Sequence, residues 1–145
     1  MERWFFPIRR VAQADDNGCA VACLAMVAGL SYGRARCEAF PRRHEFRDDE
    51  SLTADGERIH RALERLGFTA RQADDFREHG TPAILTFQWD PGRKGSHAHC
   101  IVWDPFRKRM LDPAQRHLDP PAVDHYVDLW RRSNMTALVV TGRKR

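Results

Sequence analysis

The chain has 145 residues, a formal net charge of +4, and 42% hydrophobic against 30% charged residues. This length and balance predict one globular domain over residues 1–145 and exclude a low-complexity chain. The basic excess is small and interleaved with acids, which argues against a nucleic-acid-binding face. The longest apolar run, Cys19 to Leu30, is too short to cross a bilayer.

At the N-terminus, "MERWFFPIRR" has no apolar stretch long enough for the core of a secretory signal. A cytoplasmic protein is therefore expected, and with it reduced thiols at Cys19, Cys23, Cys37 and Cys100. Their spacing lacks paired CxxC knuckles, so a structural zinc site is not expected.

In chain order, "FFPIRRVAQ" alternates loosely and predicts a short strand. "CAVACLAMVAGL" predicts a buried helix, with Asp15, Asp16 and Asn17 as caps before it and Gly29 or Gly33 as its stop. "SYGRARCEAFPRR" predicts a second short helix ended by Pro41, and "HEFRDDESLT" a loop. In "TADGERIHRALERLGFTARQ", Ile59, Ala62, Leu63 and Leu66 recur at helical spacing, Thr53 or Asp55 can cap, and Gly67 stops the helix. A short strand, "FTARQA", leads out of it.

The period then changes. "TPAILTFQW", "HAHCIVW" and "MLDPA" read as strands joined by the turns "DPGRKGS" and "DPFRKR". "AVDHYVDLWRRS" predicts a late helix and "TALVVTG" a final strand. Helices first and then a meander of strands, with one late helix, define an α+β chain whose helices pack on an antiparallel sheet.

Cys19 stands where a polar, turn-prone run meets the buried helix. A thiol attacks only as thiolate, and both a helix N-terminus and a nearby imidazolium favour that form. Cys23, one turn deeper between Ala22 and Leu24, reads as a core residue. Acyl transfer also needs oxyanion donors, for which the Cys19 backbone N–H and the Gln13 side-chain amide are candidates. "SHAHCIVWDPFRKRMLDPA" supplies a histidine, His97 or His99 on one strand face, and a carboxylate, Asp112, one hairpin later. His99 is favoured over His97 because "CIV" follows it directly. Asp104, before Pro105, reads as a turn residue.

"QADDNGCAVACLAMV" resembles the papain-like cysteine peptidases that process bacteriocin leader peptides after a double glycine. Their motif begins with a glutamine about six residues before the nucleophilic cysteine and continues into an "ACLxM" helix. Gln13, Cys19 and Ala22-Cys23-Leu24-Ala25-Met26 match it. "TPAILTF", "HCIVW" and "MLDPA" are similar to later segments of the family, so the resemblance covers about residues 8 to 115. It implies a papain-like fold with the nucleophile at a helix N-terminus. It also implies Cys19 as nucleophile, His99 as general base, Asp112 as orienting carboxylate and Gln13 as oxyanion donor. The sequence departs from the pattern at Gly18, Ala20 and Cys100, where the family has an acid, a glycine and an aromatic residue.

The implied activity is cleavage of a peptide or isopeptide bond in a peptide or protein substrate, without a cofactor or metal. Family members are usually fused to a transporter, so a separate transporter or target protein is an expected partner. A deamidase or transglutaminase on the same triad and a non-catalytic peptide-binding module are the alternatives. A metal site built on His97, His99 and Cys100 is disfavoured, because adjacent strand residues point to opposite faces.

Overall fold

A computed structural model describes residues 8–12, 18–41, 56–89, 97–113 and 134–143. Three helices, α1 (Cys19–Ala28), α2 (Tyr32–Ala39) and α3 (Gly56–Arg65), precede a five-stranded sheet. Its strands are β1 (Phe68–Gln72), β2 (Ala83–Trp89), β3 (His97–Asp104), β4 (Arg109–Leu111) and β5 (Asn134–Arg143).

α1 is apolar on every side, and a helix of that kind is stable only when surrounded. All residues from Cys19 to Val27 are buried, and α1 packs against α2, α3 and β3. Of the two glycines that could end it, Gly29 does, with φ +70° in the left-handed region that favours glycine. The N-cap is Gly18, which brings no capping side chain; Asp15, Asp16 and Asn17 lie outside the described residues. α2 is capped by Ser31, whose hydroxyl accepts from the Arg34 N–H at 3.2 Å, and its end is held by Arg65, which donates to the Ala39 carbonyl at 2.9 Å.

The sheet has the order β1-β5-β2-β3-β4 with every pairing antiparallel. Only β2-β3-β4 is the expected meander. β5 returns between β1 and β2, so Ile84 faces Leu138 on one side and Val102 on the other. Both faces are buried. Ile84, Cys100, Val102, Leu111 and Leu138 meet the helices, whereas Leu85, Ile101, Trp103, Met110 and Val139 build a second core with Phe76.

Two sequence expectations change. Residues 8–12 form no strand; Arg10 within them sends its side chain to the turn after β4 instead. A one-turn 3-10 helix, Phe76–Glu78, was not signalled by periodicity and places Phe76 edge-on to Trp103, ring centroids 5.8 Å apart. The late helix expected near residue 125 lies outside the described residues. Among the described residues, no helix is long and apolar enough to cross a membrane.

Candidate active site

The N-terminus of α1 and the start of β3 converge. Cys19 is the first residue of α1 and 2% exposed. The first-turn N–H groups of a helix have no intrahelical partner, so Cys19 stands at the positive end of the α1 dipole. The first intrahelical bond runs from the Ala22 N–H to the Gly18 carbonyl at 3.0 Å.

β3 carries the histidine. The β3–β4 register runs from Asp104 opposite Arg109 to Val102 opposite Leu111. Extended by one residue it sets Asp112 level with Ile101, and Asp112 is then the diagonal neighbour of His99 on one face. Diagonal neighbours on a sheet are within reach of long side chains. His99 Nε2 meets Asp112 Oδ1 at 2.7 Å, and the two side chains are only 19% and 11% exposed. The other ring nitrogen, Nδ1, is left for the thiol, and Cys19 is a second hydrogen-bonding partner of the His99 ring.

Burial pushes the His99 imidazole toward its neutral form. The hydrogen bonds and negative charge of Asp112 and Cys19 outweigh that effect, and its pKa rises to about 9. At neutral pH the ring is an imidazolium between a carboxylate and a sulfur, the environment that favours a thiolate.

Two residues that the sequence singled out less sharply complete the surroundings. The Cys100 thiol, on the helix-facing side of β3, is also hydrogen-bonded to Cys19; burial first, then this contact, pushes its pKa up. β4 pairs only with Val102–Asp104, so the ladder on that side has ended where Cys19 reaches His99 and Cys100. Cys23 is fully buried, and burial followed by the charges of Cys19 and Asp112 pushes its pKa up. That is an inert core thiol.

Sequence reasoning missed Arg10. Its Nε donates to the Asp112 carbonyl at 2.7 Å and its terminal nitrogen to the Pro113 carbonyl at 3.2 Å. These contacts span about a hundred positions in the chain, and no local spacing announces them. Asp104 has the role that its "DP" context suggested: Oδ1 accepts from the Phe106 and Arg107 N–H groups at 2.9 and 3.3 Å, tying the β3–β4 turn. His97 sits two residues before His99 at the start of β3; its side chain, like all of Gln13, is outside the described residues. His60 and His79 are partly exposed, beside Glu64 and Asp75. Among the described residues no cluster of three metal-ligating side chains occurs.

The architecture is α+β, helices packed on an antiparallel sheet in the papain-like arrangement of double-glycine peptidases. The comparison behind that statement is with a double-glycine-motif protease from an AMS/PCAT transporter, crystallised in complex with the leader peptide. The two align over 97% of each chain with a TM-score of 0.50 and 18% identity, a likeness of fold. No protein-family model and no curated protein matches the sequence.

Proposed function

We propose that the protein is a cysteine peptidase that cleaves a peptide or isopeptide bond through an acyl-enzyme on Cys19. The observation that carries this reading is the His99 ring held between Asp112, at 2.7 Å, and Cys19. A structural histidine needs one satisfied partner. One bridging a part-buried carboxylate to a thiol at a helix N-terminus has the arrangement of a nucleophile, a base and an orienter.

In this mechanism the Cys19 thiolate adds to the scissile carbonyl. The oxyanion forms beside the Cys19 N–H at the end of α1, with the Gln13 amide as the second donor. The His99 imidazolium gives its Nδ1 proton to the departing amine, which leaves the thioester. Neutral His99 then takes a proton from water; the hydroxide displaces Cys19, and the ring returns to the imidazolium. Asp112 keeps Nε2 protonated throughout, so the proton moves at Nδ1.

The fold likeness to a protease bound to a leader peptide favours a peptide with a double-glycine cleavage site as substrate, and a transporter as partner. The test is incubation with synthetic peptides carrying an internal Gly-Gly. Two fragments whose summed mass exceeds the parent by one water, lost in Cys19→Ala, support the reading. An intact chain with only a glutamine converted to glutamate replaces peptidase by deamidase. Cleavage that survives in a correctly folded Cys19→Ala variant refutes the role of Cys19.

A further inference from the structure

The turn between β3 and β4 lies at the end of the sheet away from His99, and the reaction above leaves it unused. Its sequence is Asp104-Pro105-Phe106-Arg107-Lys108-Arg109. Among the described side chains, Phe106 is the large apolar one that is exposed, at 54%. Asp104 Oδ1 accepts from the Phe106 and Arg107 N–H groups at 2.9 and 3.3 Å, and an aspartate bonded to the backbone in this way holds a turn in one shape. Lys108 has φ +51°, in the left-handed region. Glycine takes that conformation freely, whereas a lysine takes it against the clash of its Cβ with the backbone.

Cations accompany the exposed ring. Arg107 and Lys108 are exposed and Arg109 partly so, while the one carboxylate of the turn, Asp104, is completely buried. Arg107 also donates to the Ile8 carbonyl at 3.4 Å, which brings the exposed residue Arg9 beside the turn. On the far side of β2, β5 runs the same way as β3, with Val139 and Trp103 both opposite Ala83. Arg143, exposed at the end of β5, is therefore at the same end of the sheet.

We propose that this turn docks the protein on an anionic phospholipid surface, with Phe106 among the headgroups and Arg107, Lys108 and Arg9 on the lipid phosphates. The inference is independent of the peptidase reading. The shape and chemistry of the tip select this partner. A specific protein interface takes about 1,000 Å² or more around a shaped apolar centre, and a convex turn of four residues with one ring offers neither. A lipid surface deforms around such a point. Aromatic rings settle at the headgroup level, and arginine and lysine stems lie along apolar surface while their charged ends stay with phosphate and water. Each cation near an anionic leaflet adds an attraction that decays within a Debye length. The strained lysine then has a reason: glycine at position 108 would relieve the backbone and lose the charge. His99 lies five residues before Asp104 on β3, about 17 Å at 3.3 Å per residue. The end of the sheet that carries His99 and Cys19 therefore stands clear of the lipid.

The experiment sediments the full chain with vesicles of phosphatidylcholine alone and with vesicles of an equimolar mixture of phosphatidylcholine and phosphatidylserine. The expected result is co-sedimentation with the mixed vesicles, little with phosphatidylcholine alone, and release as salt is raised. Phe106→Ser should weaken partitioning by about tenfold, the scale of withdrawing one aromatic side chain from an apolar surround. Phe106→Trp should keep it. Lys108→Gln should weaken it by about fivefold, the scale of one cation at an anionic surface, and Lys108→Arg should not. Failure to sediment with the mixed vesicles overturns the inference, as does equal binding to both vesicle types or binding unchanged in Phe106→Ser. If Phe106→Ser instead converts a lipid-free oligomer to a monomer, the turn serves a second copy of the chain and the inference is also overturned.

Discussion

A carboxylate 2.7 Å from one nitrogen of an imidazole decides which proton that ring keeps. With Asp112 on Nε2, the His99 ring leaves Nδ1 for Cys19, and its pKa stands near 9 against an ordinary value of 6.5. A pKa raised in the fold means that the protonated ring stabilises the folded state. That contribution is complete below pH 6.5 and is lost as the pH rises through about 9. The imidazolium disappears over the same range, so the alkaline limb of kcat/KM should fall near pH 9. Asp112→Asn removes the charge that holds the ring protonated. The limb should move to lower pH, and kcat/KM should drop by about 10- to 100-fold, the scale of one charge-assisted hydrogen bond. A pH–rate profile of both proteins checks this. At this scale the sequence was informative about Cys19, because a polar run meeting an apolar one marks a helix start. It was less so about the histidine: His97 and His99 share a strand face, and only the Asp112 contact separates their claims. Cys100 was legible merely as a departure from a pattern; its contact with Cys19 depends on how α1 lies against β3.

Elements bring these residues together, and Arg10 is the least expected part of that placement. β4 is three residues long, and Pro113 cannot donate to a continued ladder. The carbonyls of Asp112 and Pro113 turn instead to the Arg10 side chain, which fixes the turn that aims Asp112 at His99. Arg10 is therefore a positioning residue. Arg10→Ala should reduce stability by about 1–3 kcal/mol, by loss of charge-assisted bonds to two carbonyls. It should also lower the pH of the alkaline limb, which a purely structural loss would not move; Arg10→Lys should restore part of the limb. Denaturant unfolding and a pH–rate profile on the same samples separate the two effects. The sequence did read α1 from its apolar run with Gly29 or Gly33 as its stop, α2 as a short helix ended by Pro41, and α3 from apolar spacing with the Gly67 stop; the Ser31 cap of α2 it did not read. It could not read Arg10, because a side chain reaching a distant backbone leaves no periodic trace.

Over the whole molecule, the sheet buries both faces, and α1 is enclosed by α2, α3 and β3. That enclosure holds the tip of α1 in place. Leu24, fully buried in the middle of α1, tests the point: Leu24→Ala should reduce stability by about 2–5 kcal/mol through the cavity it leaves. The pH of the alkaline limb should stay unchanged at temperatures where the variant is folded. Thermal melts and the same profile check both parts. The fold class was readable because the period switches from helical to alternating near Pro82. The strand order was not. β5 enters between β1 and β2 through pairings that span some seventy positions to β1 and fifty to β2, and strand pairing of that range depends on which apolar faces can be buried together.

The central claim is that Cys19, His99 and Asp112 act as one chemical unit, and the alkylation rate of Cys19 at pH 6 addresses it most directly. The exposed thiol of Cys37 serves as an internal reference in the same chain. An ordinary thiol is almost wholly protonated at that pH and reacts slowly, whereas a thiolate paired with an imidazolium does not. Cys19 should therefore react at least about tenfold faster than Cys37, and His99→Ala should bring it down to the Cys37 rate or below. Equal rates in the unaltered protein, or a fast Cys19 unaffected by His99→Ala, would contradict the account.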